Sequence, residues 1–242
     1  MKISYNAIAQ LVIALLVIFV TCILINNLTL NLIKTGLGFS FAWLFRPASF
    51  ALAEHPLPYS PSDSYAWALF IGWLNSLKVI FYSLLLATLI GTCVGLFRVG
   101  KNALLRIVSA GYIAIIRQTP LLLQLMFWYF VAILGIKETI TSPIGDLLSI
   151  SNQGTNFLGI KLSAEFTSLL LGLSVFTSAY IAEVVRGGIN SVQKGQWESF
   201  RSLGLRESTG LYKIIIPQAL PAILPGLTSQ YLNLAKNSTL AI

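Results

Sequence analysis

The sequence predicts an all-α, polytopic membrane protein, and its composition and the spacing of its apolar runs carry that prediction. Of its 242 residues, 56% are hydrophobic and only 10% are charged, and the mean hydropathy is +0.79. Such a chain has too little polar surface to cover a soluble globule. The apolar residues are gathered in runs long enough to cross a bilayer core of about 30 Å. We therefore expect about five transmembrane helices within residues 1–242.

The first predicted span covers residues 7–25, a run without a charged side chain. A cleaved signal peptide, or a lipoprotein site at Cys22, is the alternative interpretation. A retained span is favoured because the run is long for a signal peptide, no A-x-A site follows it, and Thr21 is a poor neighbour for a lipidated cysteine. Residues 26–65 are polar and rich in proline, which predicts an extramembranous loop.

Four further spans are predicted in residues 66–242. The first of them is apolar apart from Asn75, Ser76 and Lys78 near its start. A mixed stretch containing glycine, residues 136–162, separates two of the others. The predicted spans are residues 67–97, 107–135 and 163–182, and a last run that begins at Pro217.

The basic residues predict the orientation of the chain. The net charge of +8 is scattered between apolar runs rather than gathered on one face, which argues against a nucleic-acid partner and for the positive-inside rule. With the N-terminus in the cytoplasm, alternation of the spans places residues 98–106 and 183–215 inside as well. The Lys and Arg residues then inside are Lys2, Arg98, Lys101, Arg106, Arg117, Arg186, Lys194, Arg201, Arg206 and Lys213, against Lys34, Arg46, Lys137 and Lys161 outside.

Residues 195–217, GQWESFRSLGLRESTGLYKIIIP, are the one long polar stretch in the C-terminal half of the chain. Trp197, Phe200 and Leu203 recur every three residues, which predicts a short helix with an apolar docking stripe. Glu198 lies one turn from Arg201, so the two side chains are predicted to pair.

The same stretch is predicted to contain two helical pieces. Gly204 should end the first helix. A second amphipathic piece then carries Leu211, Ile214 and Ile215 on one side, and Pro217 opens the last span in a first turn, where proline costs little.

These residues resemble the cytoplasmic loop of ABC-importer permeases, whose signature is E-A-A-x3-G-x9-I-x-L-P. Glu198, Gly204, Ile214 and Pro217 match it, whereas Ser199 and Phe200 replace the two alanines and Ile216 replaces the leucine. The resemblance implies a coupling helix seated in a separate ATPase subunit, with a coupling loop at residues 183–216. The implied contact residues are Glu198, Ser199, Phe200, Gly204, Ile214 and Pro217.

The end of the fourth span, SAYIAEVVRGGI, carries Glu183 and Arg186 one turn apart, with Gly187 and Gly188 behind them. This pattern predicts a helix stop at the membrane surface. AYIAEVVRGGI also resembles the stretch before the coupling loop in amino-acid permeases, which implies that Glu183 and Arg186 brace that loop. A capped interfacial helix end remains the alternative.

In the third span, Pro120 removes one helical hydrogen bond and frees a carbonyl that needs another partner. We therefore expect a kink or a re-entrant bend. Arg117 alone would be a basic side chain that reaches the inner interface. Because YIAIIRQTPLLLQLMFWYF resembles the family's Y-x-x-x-x-R-x-x-P-L-L segment, Arg117 and Pro120 are also predicted to act near a gate or in packing.

The last span has one polar face. After Pro217, Pro221 and Pro225, the side chains of Gln230, Asn233 and Asn237 recur at helical spacing, with Lys236 beside them. Polar groups in hydrocarbon are costly, so this face should point at protein or a water-filled cavity. KNSTLAI resembles the K-[DN]-[TS]-S-L segment after which amino-acid permeases close their translocation cavity, which implies a substrate path along Gln230, Asn233, Lys236 and Asn237. A plain helix contact or a snorkelling Lys236 is the alternative.

The resemblance extends over most of the chain, because NNLTLNLIKTGLGFSFAWL, YSPSDSY and PLLLQLMFWYF are similar to the general L-amino-acid branch of the polar amino-acid permeases. It implies a type I ABC-importer fold in the bacterial inner membrane, with residues 1–65 as an N-terminal helix plus periplasmic loop and residues 66–242 as the permease core. At least one more helix is expected beyond residue 242. The implied partners are an ABC ATPase subunit that holds ATP and Mg, a second related permease subunit in a pseudo-two-fold heterodimer or a homodimer, a periplasmic amino-acid-binding protein and membrane lipid.

Other functions are less well supported by the residues. The sequence has no GxxxxGK[ST] loop, so ATP hydrolysis is expected in a partner and this chain is not expected to be an enzyme or to carry a cofactor. His55 and the two cysteines, Cys22 and Cys93, form no metal-binding pattern. An ion-coupled secondary amino-acid transporter is the alternative function, and it would need acidic residues in the spans, where Glu165 is the near candidate.

Overall fold

The computed structural model describes residues 5–36, 40–141, 148–157 and 159–241. The predicted all-α class is confirmed, since helices account for most of the described chain. The helices are α1 (Tyr5–Lys34), α2 (Tyr65–Val99), α3 (Ala103–Gln118), α4 (Leu121–Met126), α5 (Ala164–Asn190), α6 (Lys194–Ser202), α7 (Glu207–Gly210) and α8 (Ile216–Asn237). Two π-helical pieces, Phe127–Ile133 and Leu211–Ile215, follow α4 and α7, and 3-10 turns cover Ala42–Phe45 and Ser238–Ala241.

Four helical stretches in the described residues are long and apolar enough to cross a membrane, and the number is five if a bent pair counts as one span. That pair is Ala103–Gln118 with Leu121–Ile133, whose axes meet at 105°. The predicted number of spans and the predicted bend at Pro120 are therefore both confirmed. The helices run past the predicted apolar limits, because hydropathy marks the hydrocarbon core and helices continue into the interface.

A small antiparallel sheet occupies the stretch that sequence patterns left unassigned. Its strands are β1 (Ile140–Thr141), β2 (Leu148–Ser151), β3 (Gly154–Phe157) and β4 (Ile160–Ser163), paired in the order β1-β2-β3-β4. Strands of two to four residues are too short to show an alternating pattern. Gly154 is required at its turn, because its φ is +122° and an added Cβ would lie 2.0 Å from the Leu162 carbonyl oxygen.

The described chain divides into two compact units, of which the smaller comprises residues within 1–49 and 61–67. Backbone bonds join its separated pieces, with Ala48 N donating to Asp63 O at 2.7 Å and Ser49 N donating to Pro61 O at 2.8 Å. The Trp43 and Tyr65 rings meet edge to face with centroids 5.7 Å apart.

The larger unit comprises residues within 50–60 and 68–242, and α5 lies at its centre. A ridge of small side chains every four residues on α2 is buried: Ser83, Ala87, Gly91 and Gly95. A Cβ added at Gly91 would lie 2.7 Å from the Ser178 carbonyl oxygen of α5. These small residues therefore allow the backbones of α2 and α5 to approach closely, as in membrane helix pairs generally.

Candidate functional site

The 195–217 segment begins with α6, and a glycine ends that helix as predicted. Gly204 has a φ of +68°, the left-handed conformation that glycine adopts without steric cost. Leu205 N donates to Phe200 O at 3.2 Å and Gly204 N donates to Arg201 O at 3.0 Å. This pair of bonds is a Schellman motif, which satisfies carbonyls that the end of the helix would leave unpaired.

The predicted apolar stripe of α6 is divided between two environments. Phe200 is completely buried, and its ring packs so closely on α7 that a Cβ added at Gly210 would lie 2.3 Å from the ring. Trp197 is half-buried, whereas Leu203 is 75% exposed. The Phe200 side chain therefore joins the core of this chain and does not lie on its surface, while Leu203 remains available to a partner.

The predicted ion pair between Glu198 and Arg201 is wrong, because Arg201 turns to a different acid. Its Nε donates to Glu207 Oε1 at 2.9 Å, and Lys101 Nζ lies 2.6 Å from the same oxygen. Glu207 therefore pairs with both cations, one from α6 and one from the turn between α2 and α3. Glu198 and Ser199 are exposed, and no ion pair of Glu198 occurs in the described part of the chain.

The end of α5 holds the predicted contact between Glu183 and Arg186. Arg186 donates to Glu183 Oε2 through Nε at 3.0 Å and through Nη2 at 2.8 Å. The predicted helix stop at Gly187 and Gly188 is wrong, since α5 continues to Asn190. Gly188 instead makes room for α8, because an added Cβ would lie 2.3 Å from Ile223 Cγ1.

The bend between α3 and α4 shows how the chain pairs the Ile116 carbonyl, which Pro120 leaves without its helical donor. Gln124 Nε2 donates to Ile116 O at 2.8 Å and to Thr119 O at 3.1 Å. Arg117 lies just before the bend, and its guanidinium is 5.1 Å from the centre of the Tyr180 ring on α5. Sequence reasoning identified the unpaired carbonyl but not its two donors, the Gln124 amide and the Thr119 hydroxyl.

Helix α8 runs through Pro221 and Pro225 without a break, and Pro217 lies in its first turn as predicted. The predicted polar face points away from the core: Asn233 and Lys236 are exposed, and Gln230 and Asn237 are half-buried. None of these four side chains has a hydrogen-bond partner among the residues described. The opposite side of the helix is anchored to α2 by Tyr231 and Thr88, whose hydroxyl oxygens are 2.9 Å apart.

A cavity of about 580 Å³ lies between the 50–60 stretch, α2, α4 and α5. Glu165 and Tyr129 line it, and Tyr129 Oη donates to Glu165 Oε1 at 3.2 Å. Ser238, directly after α8, reaches the same cavity. In the part of the chain that the structure describes, no group of three or more His, Cys, Asp or Glu side chains is arranged to hold a metal ion.

One cluster of polar side chains was missed at the sequence level. Asn75 and Lys78, noted only as polar interruptions of the second span, both contact Glu54. Their spacing of three residues on one helix face was the signal that could have indicated a shared partner. Glu54 itself lies in a loop whose path the sequence does not specify.

The long apolar helices and the broken third span are those of a polytopic membrane protein. The family model for binding-protein-dependent transport system inner membrane components matches residues 83–242. The chain therefore belongs to that family, the inner-membrane permease components of ABC transporters.

Relatives confirm the resemblance to amino-acid ABC permeases. The protein YhdX of Escherichia coli (strain K12), named as an amino-acid ABC transporter permease, is 34% identical over 90% of this chain and 76% of its own length. The general L-amino acid transport system permease protein AapQ of Rhizobium johnstonii is 30% identical over 90% of this chain and 74% of its own length.

Solved structures show the same fold. A crystal structure of an amino acid ABC transporter with histidines matches with a TM-score of 0.55 and 29% identity, covering 73% of this chain and 72% of the other. An inward-facing MetNI methionine ABC transporter matches with a TM-score of 0.52 and 22% identity, covering 72% of this chain and 73% of the other. The second likeness concerns the fold alone.

Proposed function

We propose that this chain is the membrane-spanning subunit of an ATP-driven importer that translocates L-amino acids delivered by a periplasmic binding protein. Family membership establishes the permease role, and the relatives named for amino-acid transport support the substrate class. The proposed coupling mechanism rests on one observation. The 195–217 segment has an exposed outer surface and a buried underside.

The segment transmits force because its two sides have different roles. Glu198, Ser199 and Leu203 face outward and contact the ATPase subunit. Phe200, beneath them, is packed against Gly210 and moves with the second helical piece. Ile214 and Pro217 continue that piece into α8, and Gly204 fixes the turn between the two pieces. A displacement of α6 therefore reaches α8 through packed side chains.

The polar face of α8 lines the substrate path in this proposal. Gln230, Asn233 and Asn237 offer hydrogen bonds, and Lys236 offers a positive charge for the substrate carboxylate. The cost of leaving these groups in hydrocarbon is avoided if the face lies toward a second permease subunit, related or identical, across a water-filled pathway. Arg117 and Pro120 brace the bend between α3 and α4. Glu183 and Arg186 brace the coupling loop.

The remaining partners follow from the same proposal. ATP and Mg bind a separate ATPase subunit, a periplasmic binding protein supplies the amino acid, and lipid surrounds the spans. The N-terminus lies in the cytoplasm, which puts the 195–217 segment on the ATPase side of the membrane in agreement with the distribution of Lys and Arg.

Crosslinking tests the docking assignment. With Cys22 and Cys93 replaced by serine, Ser199→Cys in the assembled importer should crosslink to the ATPase subunit, because Ser199 is exposed on α6. Thr141→Cys, exposed on β1, serves as the matched control and should not crosslink. Failure of Ser199→Cys, Ser202→Cys and Leu203→Cys together would reject the docking assignment.

Uptake measurements test the substrate path. Lys236→Met should weaken uptake of every transported amino acid, whereas Lys161→Met in β4 should leave uptake unchanged. Wild-type kinetics for Lys236→Met would remove Lys236 from the path. Uptake that continues with a catalytically inactive ATPase subunit would favour the ion-coupled secondary transporter instead.

A further inference from the structure

Two polar side chains of the apolar helix α2, Asn75 and Lys78, contact the same loop residue, Glu54. Lys78 Nζ lies 2.7 Å from Glu54 Oε1, and the two side chains are only 24% and 16% exposed. Asn75 Nδ2, one turn earlier on the helix, donates to the Glu54 backbone oxygen at 2.6 Å. The ion pair is therefore partly shielded from water, and a second polar side chain of the same helix binds the same loop residue.

The same carboxylate also binds the start of α5. Ser163 N donates to Glu54 Oε2 at 3.0 Å, and the Ser163 hydroxyl oxygen caps the helix by accepting from Phe166 N at 3.1 Å. Lys78 Nζ lies 4.8 Å from the centre of the Phe166 ring. An anion is favoured at a helix N-terminus. We name this group the Glu54 clamp; it consists of Glu54, Asn75, Lys78 and Ser163.

A hydrogen bond closes the stretch that carries Glu54 into a loop. Tyr59 Oη donates to Phe50 O at 2.7 Å, which joins the two ends of residues 50–60. Leu52, Ala53 and Glu54 form one wall of the cavity that Glu165 and Tyr129 also line. The clamp therefore fixes this wall to α2 and to α5 at once.

Helix α5 connects the clamp to the other end of the permease. Its 27 residues span about 40 Å at about 1.5 Å per residue. The far end carries the Glu183–Arg186 pair and leads through residues 191–193 into α6. Helix α5 is continuous between the clamp and this pair, so the two sets of contacts lie at opposite ends of one helix.

We propose that Glu54 is a positioning residue that couples the 50–60 stretch to α5, so that docking of the loaded binding protein outside is transmitted to the ATPase-facing loop. This inference rests on the proposed function, because it assigns the 50–60 stretch to the outer side of the membrane. In this proposal Glu54 acts through Lys78 and Ser163 and not on the substrate or ATP. Its role is to connect the 50–60 stretch to helix α5.

The test compares basal ATPase activity with activity stimulated by the amino-acid-loaded binding protein, using the complete importer in proteoliposomes. Glu54→Gln should lower the stimulation about fivefold or more, the size of a typical coupling between distant sites. Basal activity should stay at the wild-type level. Glu138→Gln is the matched control, since Glu138 is exposed in the segment between α4 and β1, outside the clamp. The loaded binding protein should stimulate the ATPase activity of this variant as it does that of the wild type.

Glu54→Gln leaves Lys78 without its charged partner, so the double variant Glu54→Gln/Lys78→Met removes both charges and avoids an unpaired, partly buried cation. It should assemble with an unchanged thermal midpoint and still lose the stimulation. Wild-type stimulation in this double variant would overturn the clamp proposal alone. Absence of any stimulation in the wild-type importer would instead count against the proposed function.

Discussion

Helices α1 and α5 are both long enough to cross a membrane, yet their surroundings are opposite. None of the most apolar window of α1 is buried inside the protein, whereas 56% of the corresponding window of α5 is buried. Helix α1 is the more uniformly apolar of the two and exposes Leu, Ile, Val and Phe side chains on all sides. Helix α5 carries small and hydroxyl-bearing residues among its buried positions.

The difference shows that apolarity does not mark the core of a membrane protein. Lipid tails are as apolar as leucine, so an apolar side chain gains little by moving from lipid to protein. Close packing and hydrogen bonding decide instead, and both require small or polar side chains. Tyr112 Oη on α3, for example, donates to Val175 O on α5 at 3.0 Å.

The largest expected effect comes from deleting a core side chain of α5. Leu173 is 0% exposed, so Leu173→Ala should destabilise the protein by roughly 2–5 kcal/mol through the cavity it leaves. Leu16 on α1 is 60% exposed, and Leu16→Ala should change stability little because lipid fills the space. Thermal midpoints in detergent and in nanodiscs would measure both. Equal losses for the two variants would contradict the comparison.

A smaller loss is expected where α2 approaches α5. Gly91→Ala places a Cβ 2.7 Å from the Ser178 carbonyl oxygen, so the backbones must separate, at roughly 1–3 kcal/mol. Gly72→Ala is the control on the same helix, because its Cβ would have no neighbour within 4 Å. The ratio of aggregated to monodisperse protein after heating reports the difference. A Gly91→Ala protein as stable as Gly72→Ala would show that the close approach is unimportant.

The smallest effect should come from one interhelical hydrogen bond. Tyr112 Oη contacts Ser178 Oγ and donates to Val175 O at 3.0 Å, so Tyr112→Phe should cost about 0.6 kcal/mol, the average for such bonds in membranes. On α1, Thr21 Oγ1 donates to Val17 O of its own helix at 2.8 Å, and Thr21→Val should cost no stability. Chemical-denaturation midpoints would rank the two. A larger loss for Thr21→Val would reverse the comparison.

Local features of the 195–217 segment were predictable from sequence, and its internal contacts were not. The positions of Gly204 and Pro217 depend on backbone chemistry that any helix end or first turn shares, and the structure confirms both. The partner of Arg201 depends on where α7 folds back, so the predicted partner was one turn away while the observed one is Glu207. The burial of Phe200 likewise depends on Gly210, ten residues further along the chain.

The sequence by itself determined the membrane class, the number of spans, the bend at Pro120 and the family signature. Each of these follows from the length of apolar runs or from the chemistry of one residue and its neighbours. Only the tertiary structure decided that Gly188 packs against α8 rather than ending α5, that Gln124 donates to the free Ile116 carbonyl, and that Glu54 binds Lys78 and Ser163. These contacts join residues that are distant in sequence or lie across a sharp bend, and their partners depend on how helices and loops pack.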